Sequence, residues 1–234
     1  MWTLTPSSRR RNSASLPELD AGGLAGFVRA NTALGASRLV PGVRLYLASE
    51  ITPLWQASEA FLRQHDMAPP FWAFAWPGSE ALARYIIEHP DLVRGLRVLD
   101  FAAGCGLAGL AARLAGAARV DAAEIDPLAG AAIGLNAAEN GLAVNVLLGD
   151  IVGADCRWDV IICGDVCYEA PMTRHIMPWL RRCAAGAVVI IADPGRRYAP
   201  DEGEVLARYE VPVSLELEDS CARQVKLFRL LAAP

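Results

Sequence analysis

From residue 96 onward the chain alternates short apolar strands with helices, and nothing else in the sequence restricts the fold as strongly. The pattern predicts strands at 96–102, 119–124, 144–148, 158–163 and 187–192, with helices at about 106–115, 127–140, 171–184 and 201–208. Gly141 after Asn140 reads as a helix C-cap. Strands separated by helices pair in parallel, because only a long crossover returns the chain to the same edge. Such a sheet is covered on both faces. The end of the chain differs. Val211–Glu216 and Arg223–Leu231 are two strands joined by a short turn around Asp219-Ser220, so they must be antiparallel. The expected fold class is α/β: a Rossmann-like, seven-stranded, mostly parallel sheet with a C-terminal antiparallel hairpin.

The first 95 residues lack this rhythm. Val43, Leu45 and Leu47 alternate with polar positions as in a half-buried strand, and Pro53 opens a helix running to Arg63. Pro69-Pro70 breaks the chain, and a further helix runs from Ser79 to His89 until Pro90 stops it. Three units follow: a disordered tail over 1–22, an N-terminal cap over 23–95, and a ligand-binding domain over 96–234. Arg9, Arg10 and Arg11 with several serines and no acid leave an organelle transit peptide as the other reading of the tail. No apolar run follows these arginines, which excludes a secretory signal.

Composition narrows the function classes. With 53% hydrophobic residues, 21% charged residues and a net charge of −4, the chain is globular and lacks the basic excess of a nucleic-acid binder. No apolar run approaches the ~18 residues that cross a bilayer. The six cysteines contain no C-x-x-C pair, and His65, His89 and His175 are scattered, so neither a metal site nor a disulfide framework is expected. The expected setting is a bacterial cytoplasm, with the mitochondrial matrix as the alternative, and the expected state is a monomer.

The chemistry concentrates behind the first strand of the alternating region, in Val98-Leu99-Asp100-Phe101-Ala102-Ala103-Gly104-Cys105-Gly106-Leu107-Ala108-Gly109. Glycines there let the backbone turn tightly and approach a ligand at a helix start. Gly104 to Gly109 also spells the dinucleotide pattern G-x-G-x-x-G, and Glu124 follows Gly104 by 20 residues, as a ribose-binding acid should. An NAD(P)-dependent oxidoreductase is therefore one reading. Asp100 argues against it, since it occupies an inward strand position where a buried lone carboxylate costs several kcal/mol without a cation or donors. S-adenosylmethionine brings such a cation in its ammonium group, and its ribose diol suits Glu124.

These residues resemble the class I methyltransferases. Trp76-Pro77-Gly78, Asp165-Val166-Cys167-Tyr168 and Asp193-Pro194-Gly195-Arg196 narrow the likeness to the seven-β-strand protein lysine methyltransferases. The segments Pro70–Gly78 and Ile125–Gly130 resemble the lysine methyltransferases of the electron transfer flavoprotein β subunit in particular. The likeness spans about Phe27 to Arg197, and Ala102 departs from it where the general pattern often has glycine.

The resemblance implies S-adenosylmethionine as cofactor and a protein substrate, with electron transfer flavoprotein β subunit suspected, another protein such as a ribosomal one or a small amine as alternatives, and no nucleic-acid or membrane partner. It implies that Trp76, Asp100, Gly104, Gly106, Glu124, Asp126 and Asp150 line the donor site, with Asp150 accepting from the adenine amino group. Trp76 also reads as a core or anchor residue, Asp126 as an N-terminal helix charge, and Asp150 as an Asx turn. Asp165 and Tyr168 are the candidate catalytic residues, Asp165 holding the incoming ammonium; its other reading is a loop cap. Asp193 and Arg196 are candidate substrate-binding residues, Arg196 and Arg197 able to meet an acidic surface. Cys163 and Cys167 read as packing residues. A catalytically silent methyltransferase-like binding module remains the non-enzymatic alternative.

Overall fold

The computed structural model describes residues 21–49, 69–200, 202–213 and 221–232. The Arg/Ser tail, the helix expected over 53–63 and the turn at Asp219-Ser220 lie outside these. In chain order the described elements are α1 (Ala21–Asn31), β1 (Ala33–Ala36), β2 (Arg44–Leu47), α2 (Pro77–Glu88), β3 (Arg97–Phe101), α3 (Leu107–Leu114), β4 (Arg119–Glu124), α4 (Pro127–Glu139), β5 (Asn145–Leu148), β6 (Val160–Gly164), α5 (Ala170–Cys183), β7 (Val188–Asp193), β8 (Glu204–Pro212) and β9 (Ala222–Arg229). Two short 3-10 turns at Phe71–Ala73 and Pro90–Leu92 flank α2.

Seven strands form one sheet in the order β5-β4-β3-β6-β7-β9-β8. β5 through β7 are parallel, and β9 runs antiparallel to both β7 and β8. Alternation along the strands sends Val98, Val120, Ile162 and Ile190 to one face, where Leu82 and Ile86 of α2 and Ala108 and Ala112 of α3 cover them. The opposite face buries Leu99, Ile161, Val189 and Ile191 against Ile176, Trp179 and Leu180 of α5. The parallel sheet with helices on both faces is the one that the strand–helix alternation requires.

One element differs from the sequence reading. Residues 204–212 form strand β8, where a helix over 201–208 was expected. Glu, Leu, Ala and Arg favour a helix locally, but Ala207, Tyr209 and Val211 pair in register with Leu227, Val225 and Arg223 of β9. A β-bulge between Val205 and Ala207 sets that register.

The N-terminal segment is attached through side-chain amides. Asn140 accepts the Arg44 N–H (2.9 Å) and donates to the Arg44 carbonyl (2.7 Å), while Asn136 accepts the Tyr46 N–H (2.7 Å). Asn136 in α4 and Asn140 at its C-cap satisfy the outer edge of β2 as a neighbouring strand would. Asn136 also donates to the Cys105 carbonyl in the glycine loop (2.9 Å), so one fully buried amide ties the N-terminal hairpin to the donor edge. Asn136→Leu removes both partnerships while keeping the volume. It is expected to destabilise the fold by about 3 kcal/mol, or roughly 6–12 °C in thermal unfolding.

Candidate active site

The loops after β3, β4, β6 and β7 all leave the sheet at its carboxyl edge, where open α/β sheets bind ligands. Gly104 and Gly106 adopt φ of +57° and +79°, and the second begins α3 as its N-cap. Ala102 is held at φ +53°, a left-handed conformation costing an L-residue about 1–2 kcal/mol. Glycine would adopt it freely, which gives the departure from the general pattern a physical cost.

Asp100 faces α3, and its Oδ2 accepts the Gly109 N–H at 2.8 Å. Burial pushes its carboxyl up to about 7, the Gly109 N–H opposes this, and the charge of Glu124 adds to it. A backbone donor therefore supplies one partner that the sequence reading assigned to a bound cation. Glu124 ends β4 and receives the Gly104 N–H on Oε1 and the Ile125 N–H on Oε2, each at 2.9 Å. A carboxylate has about four acceptor positions, so capacity for a diol remains. Its pKa is raised, chiefly by burial. Beside it Ile125 is 72% exposed and Leu148 58% exposed, two large apolar side chains presented to solvent next to a polar edge.

Two expected donor ligands have local roles as well. Asp126 is the N-cap of α4, accepting the Leu128 N–H at 2.8 Å. Asp150 accepts the Val152 N–H (2.9 Å), forming the Asx turn, and its Oδ2 pairs with His175 Nε2 at 2.8 Å. The Val152 bond first, then His175, holds its carboxyl below the usual range.

Across the edge stands an aromatic wall. Trp76, the N-cap residue of α2, donates its indole N–H to the Phe71 carbonyl at 2.7 Å. The Phe71 ring lies 5.9 Å from Trp76 and 5.5 Å from Tyr168, centroid to centroid. Tyr168 is pushed up to about 12 by burial, then by the charges of Glu169 and Glu124, which puts its hydroxyl within the field of the acid that braces the glycine loop. Phe71, absent from the expected site residues, thus bridges two of them; its adjacency to Trp72 in an aromatic run gave no spacing from which to single it out.

Asp165 sits behind this wall with φ +56°. Its Oδ2 accepts the Gly78 N–H at 2.5 Å, so it caps the distant helix α2, where the alternative sequence reading is a cap of its own loop. Burial pushes its carboxyl up to about 7 against the opposing Arg196 charge. Asp193 is almost fully buried, and its Oδ1 receives the Gly195 and Arg196 N–H groups at 2.8 and 2.6 Å. The Arg196 side chain turns inward toward Asp165, at 3.8 Å, whereas Arg197 is exposed over the Tyr198 ring. Of the two arginines expected to face a partner, Arg197 is exposed and Arg196 only partly so. Cys163 and Cys167 are fully buried in the core against α5, with their thiols pushed up by burial.

Glu80 was not singled out from the sequence. Buried in the first turn of α2, it accepts from Ser37 Oγ (2.6 Å) and from the Arg38 and Leu39 N–H groups (both 3.0 Å). Its partners lie about 40 residues away, a pairing that no local motif carries.

A glycine loop braced by an acid at the tip of the second parallel strand, in a sheet closed by an antiparallel hairpin, defines a class I methyltransferase. Similar folds occur in a proposed RNA methyltransferase of Pyrococcus horikoshii (TM-score 0.50, 19% identity, 69% of this chain and 86% of that one) and in a Thermoplasma acidophilum protein (TM-score 0.51, 16% identity, 66% and 88%). Residues 55–203 match the lysine methyltransferase family, and the chain belongs to it. It is 37% identical over 185 residues to the human electron transfer flavoprotein beta subunit lysine methyltransferase, covering 77% of this chain and 68% of that protein. To the Danio rerio protein of the same name it is 34% identical over 223 residues, covering 91% and 84%. The chain is a protein-lysine N-methyltransferase that uses S-adenosylmethionine. The left-handed glycines, the spare acceptor positions of Glu124 and the exposed Ile125 suit a donor carrying a ribose diol and an apolar-faced base.

Proposed function

We propose that the chain methylates lysine ε-amines of the electron transfer flavoprotein β subunit, with Trp76, Asp100, Gly104, Gly106, Glu124, Asp126 and Asp150 around the donor and Asp165 and Tyr168 toward the amine. The substrate rests on the names of the relatives. The observation that carries the site is the ring series Trp76–Phe71–Tyr168, with Tyr168 in the field of Glu124 and Asp165 hydrogen-bonded to Gly78 two residues past Trp76.

S-adenosylmethionine supplies an electrophilic methyl on a sulfonium sulfur. A lysine ammonium, with a reference pKa of about 10.4, must lose a proton to solvent before its lone pair can form the new C–N bond, the methyl–sulfur electron pair staying on sulfur. The Phe71, Trp76 and Tyr168 rings shed water from the incoming side chain, which disfavours its charged form. Asp165 holds the ammonium on arrival, and Tyr168 orients the amine. Phe71 and Trp76, from the expected cap, bring their part of the aromatic wall to the donor edge.

Incubation with labelled donor and candidate proteins, followed by mass mapping, should place methyl groups on lysines of the flavoprotein β subunit. Label on nucleic acid and on no protein would overturn the reading. In the donor half, Glu124→Ala removes both the ribose acceptor and the brace of Gly104. It should weaken S-adenosylhomocysteine binding roughly 10–100-fold by calorimetric titration.

A further inference from the structure

β6 and β7 are adjacent and parallel, with Gly164 opposite Ala192, so Asp165 and Asp193 leave the sheet side by side. Each has one oxygen fixed by backbone donors: Asp165 Oδ2 by Gly78, and Asp193 Oδ1 by Gly195 and Arg196. The other oxygen of each, Asp165 Oδ1 and Asp193 Oδ2, is buried without a hydrogen-bond partner. Backbone capping prevents either carboxylate from rotating to relieve this, and buried acceptors are normally satisfied.

The cation nearest Asp165 is Arg196, and Asp193 also lies in the field of Lys226, its register partner on β9. Gly195, at φ +85°, lets the chain turn sharply after β7, and the arginine side chain folds back until Nη2 stands 3.8 Å from Asp165 Oδ1. That is an ion pair beyond hydrogen-bond reach. The same chain shows what a tight pair looks like: Arg97 grips Asp159 with Nε at 3.0 Å and Nη2 at 2.7 Å. The Arg196 side chain is 28% exposed and has a path to solvent. A guanidinium is a rigid planar fork, whereas an ammonium is a compact charge with three rotatable donors on a thin stem. The second shape suits two buried, unpartnered oxygens on neighbouring strand ends better. Glu169 and Glu124, whose charges reach Tyr168 next to Asp165, add negative field on this side, which favours a cationic visitor.

We propose that Asp165 and Asp193 form a seat for one cationic side chain, held by the Arg196 guanidinium in the free enzyme and surrendered to the substrate's lysine ammonium. Arg196 is then an internal competitor for entry, since two cations cannot share the seat. Only the identity of the visitor rests on the lysine methyltransferase reading; the seat follows from the geometry.

The test uses the full chain with Arg196→Gln, and with Arg196→Lys as the charge-keeping control. Thermal unfolding is followed with millimolar n-butylammonium, and with tetramethylammonium at equal ionic strength. n-Butylammonium should raise the melting temperature of the Gln variant and leave wild type and the Lys variant unmoved, while tetramethylammonium shifts none of them. The Gln variant should also show a severalfold lower KM for the protein substrate, competitive inhibition by n-butylammonium, and unchanged S-adenosylhomocysteine affinity. Equal responses of wild type and the Gln variant, no response at all, or a thermal shift without the fall in KM would overturn the proposal. If the Gln variant fails to fold alone, refolding with n-butylammonium should recover it, and failure in both conditions counts against the seat. Should wild type methylate no protein lysine, the enzymatic reading falls, while the thermal shift still reports on the seat.

Discussion

Gly78→Ala is expected to loosen the fold and abolish measurable donor binding. A Cβ at this position would stand 2.7 Å from the Ala192 carbonyl oxygen and from the Asp165 backbone nitrogen, and would press on Asp165 Oδ2 as well. Two of these atoms belong to the backbone at the ends of adjacent central strands and cannot yield separately, so α2 must withdraw. Withdrawal breaks the Gly78 N–H bond to a buried carboxylate and moves Trp76, the residue beginning the helix, out of the aromatic wall. Overpacking of this kind costs about 1–3 kcal/mol and a hydrogen bond to a charged group about 1.5–3 kcal/mol, giving about 2.5–6 kcal/mol together. In thermal unfolding that is roughly 5–24 °C. Gly134→Ala provides the contrast. In α4 nothing lies within 4 Å of its added Cβ, so helix propensity alone should act, stabilising by up to about 1 kcal/mol. Thermal scans and S-adenosylhomocysteine titration of both variants check this, and a Gly78→Ala protein matching wild type in both would sink the argument.

The Trp76-Pro77-Gly78 segment shows how far the sequence could be read. Local logic located the glycine loop, the parallel strands and this helix, although it started the helix at Ser79 where the structure starts it at Pro77. Why glycine follows proline was not legible, because the atoms that exclude a side chain come from β6 and β7, nearly 90 residues and more away. The same distance hides Glu80, and it hides the role of Asn136, which meets Tyr46 across 90 residues. Over 204–208 local propensity pointed to a helix, and pairing with β9 overrode it. Helix α1 was missed for the opposite reason: Gly22, Gly23 and Gly26 argue against a helix, yet Val28 and its neighbours Leu24 and Phe27 pack with Leu128 and Ala132 of α4. Asp165 was legible as a residue type at a productive edge, but its capping of α2 depends on a contact with a distant segment.

Asp165→Asn separates that capping role from the proposed catalytic one. The amide oxygen can still accept the Gly78 N–H, and asparagine tolerates the left-handed backbone at φ +56° as well as aspartate does. Donor affinity should therefore survive. The neutral amide, however, cannot hold an ammonium, and it turns an N–H₂ group toward the Arg196 cation where an anion stood. Turnover should fall by about 100-fold, the scale of a misplaced reacting group. A titration signature accompanies the loss. Burial raises the Asp165 carboxyl from 3.8 to about 7, so the folded protein binds this proton more tightly than the unfolded chain. The stability contributed by protonation is full below the unfolded value and is lost as pH rises through about 7. The asparagine variant lacks this component, and its melting temperature should vary less than that of wild type between these two limits. Single-turnover methylation, S-adenosylhomocysteine titration and melting curves across that range give three independent readings. Unchanged methylation would remove Asp165 from the catalytic assignment. Loss of donor binding alongside turnover would reduce it to a cap of α2.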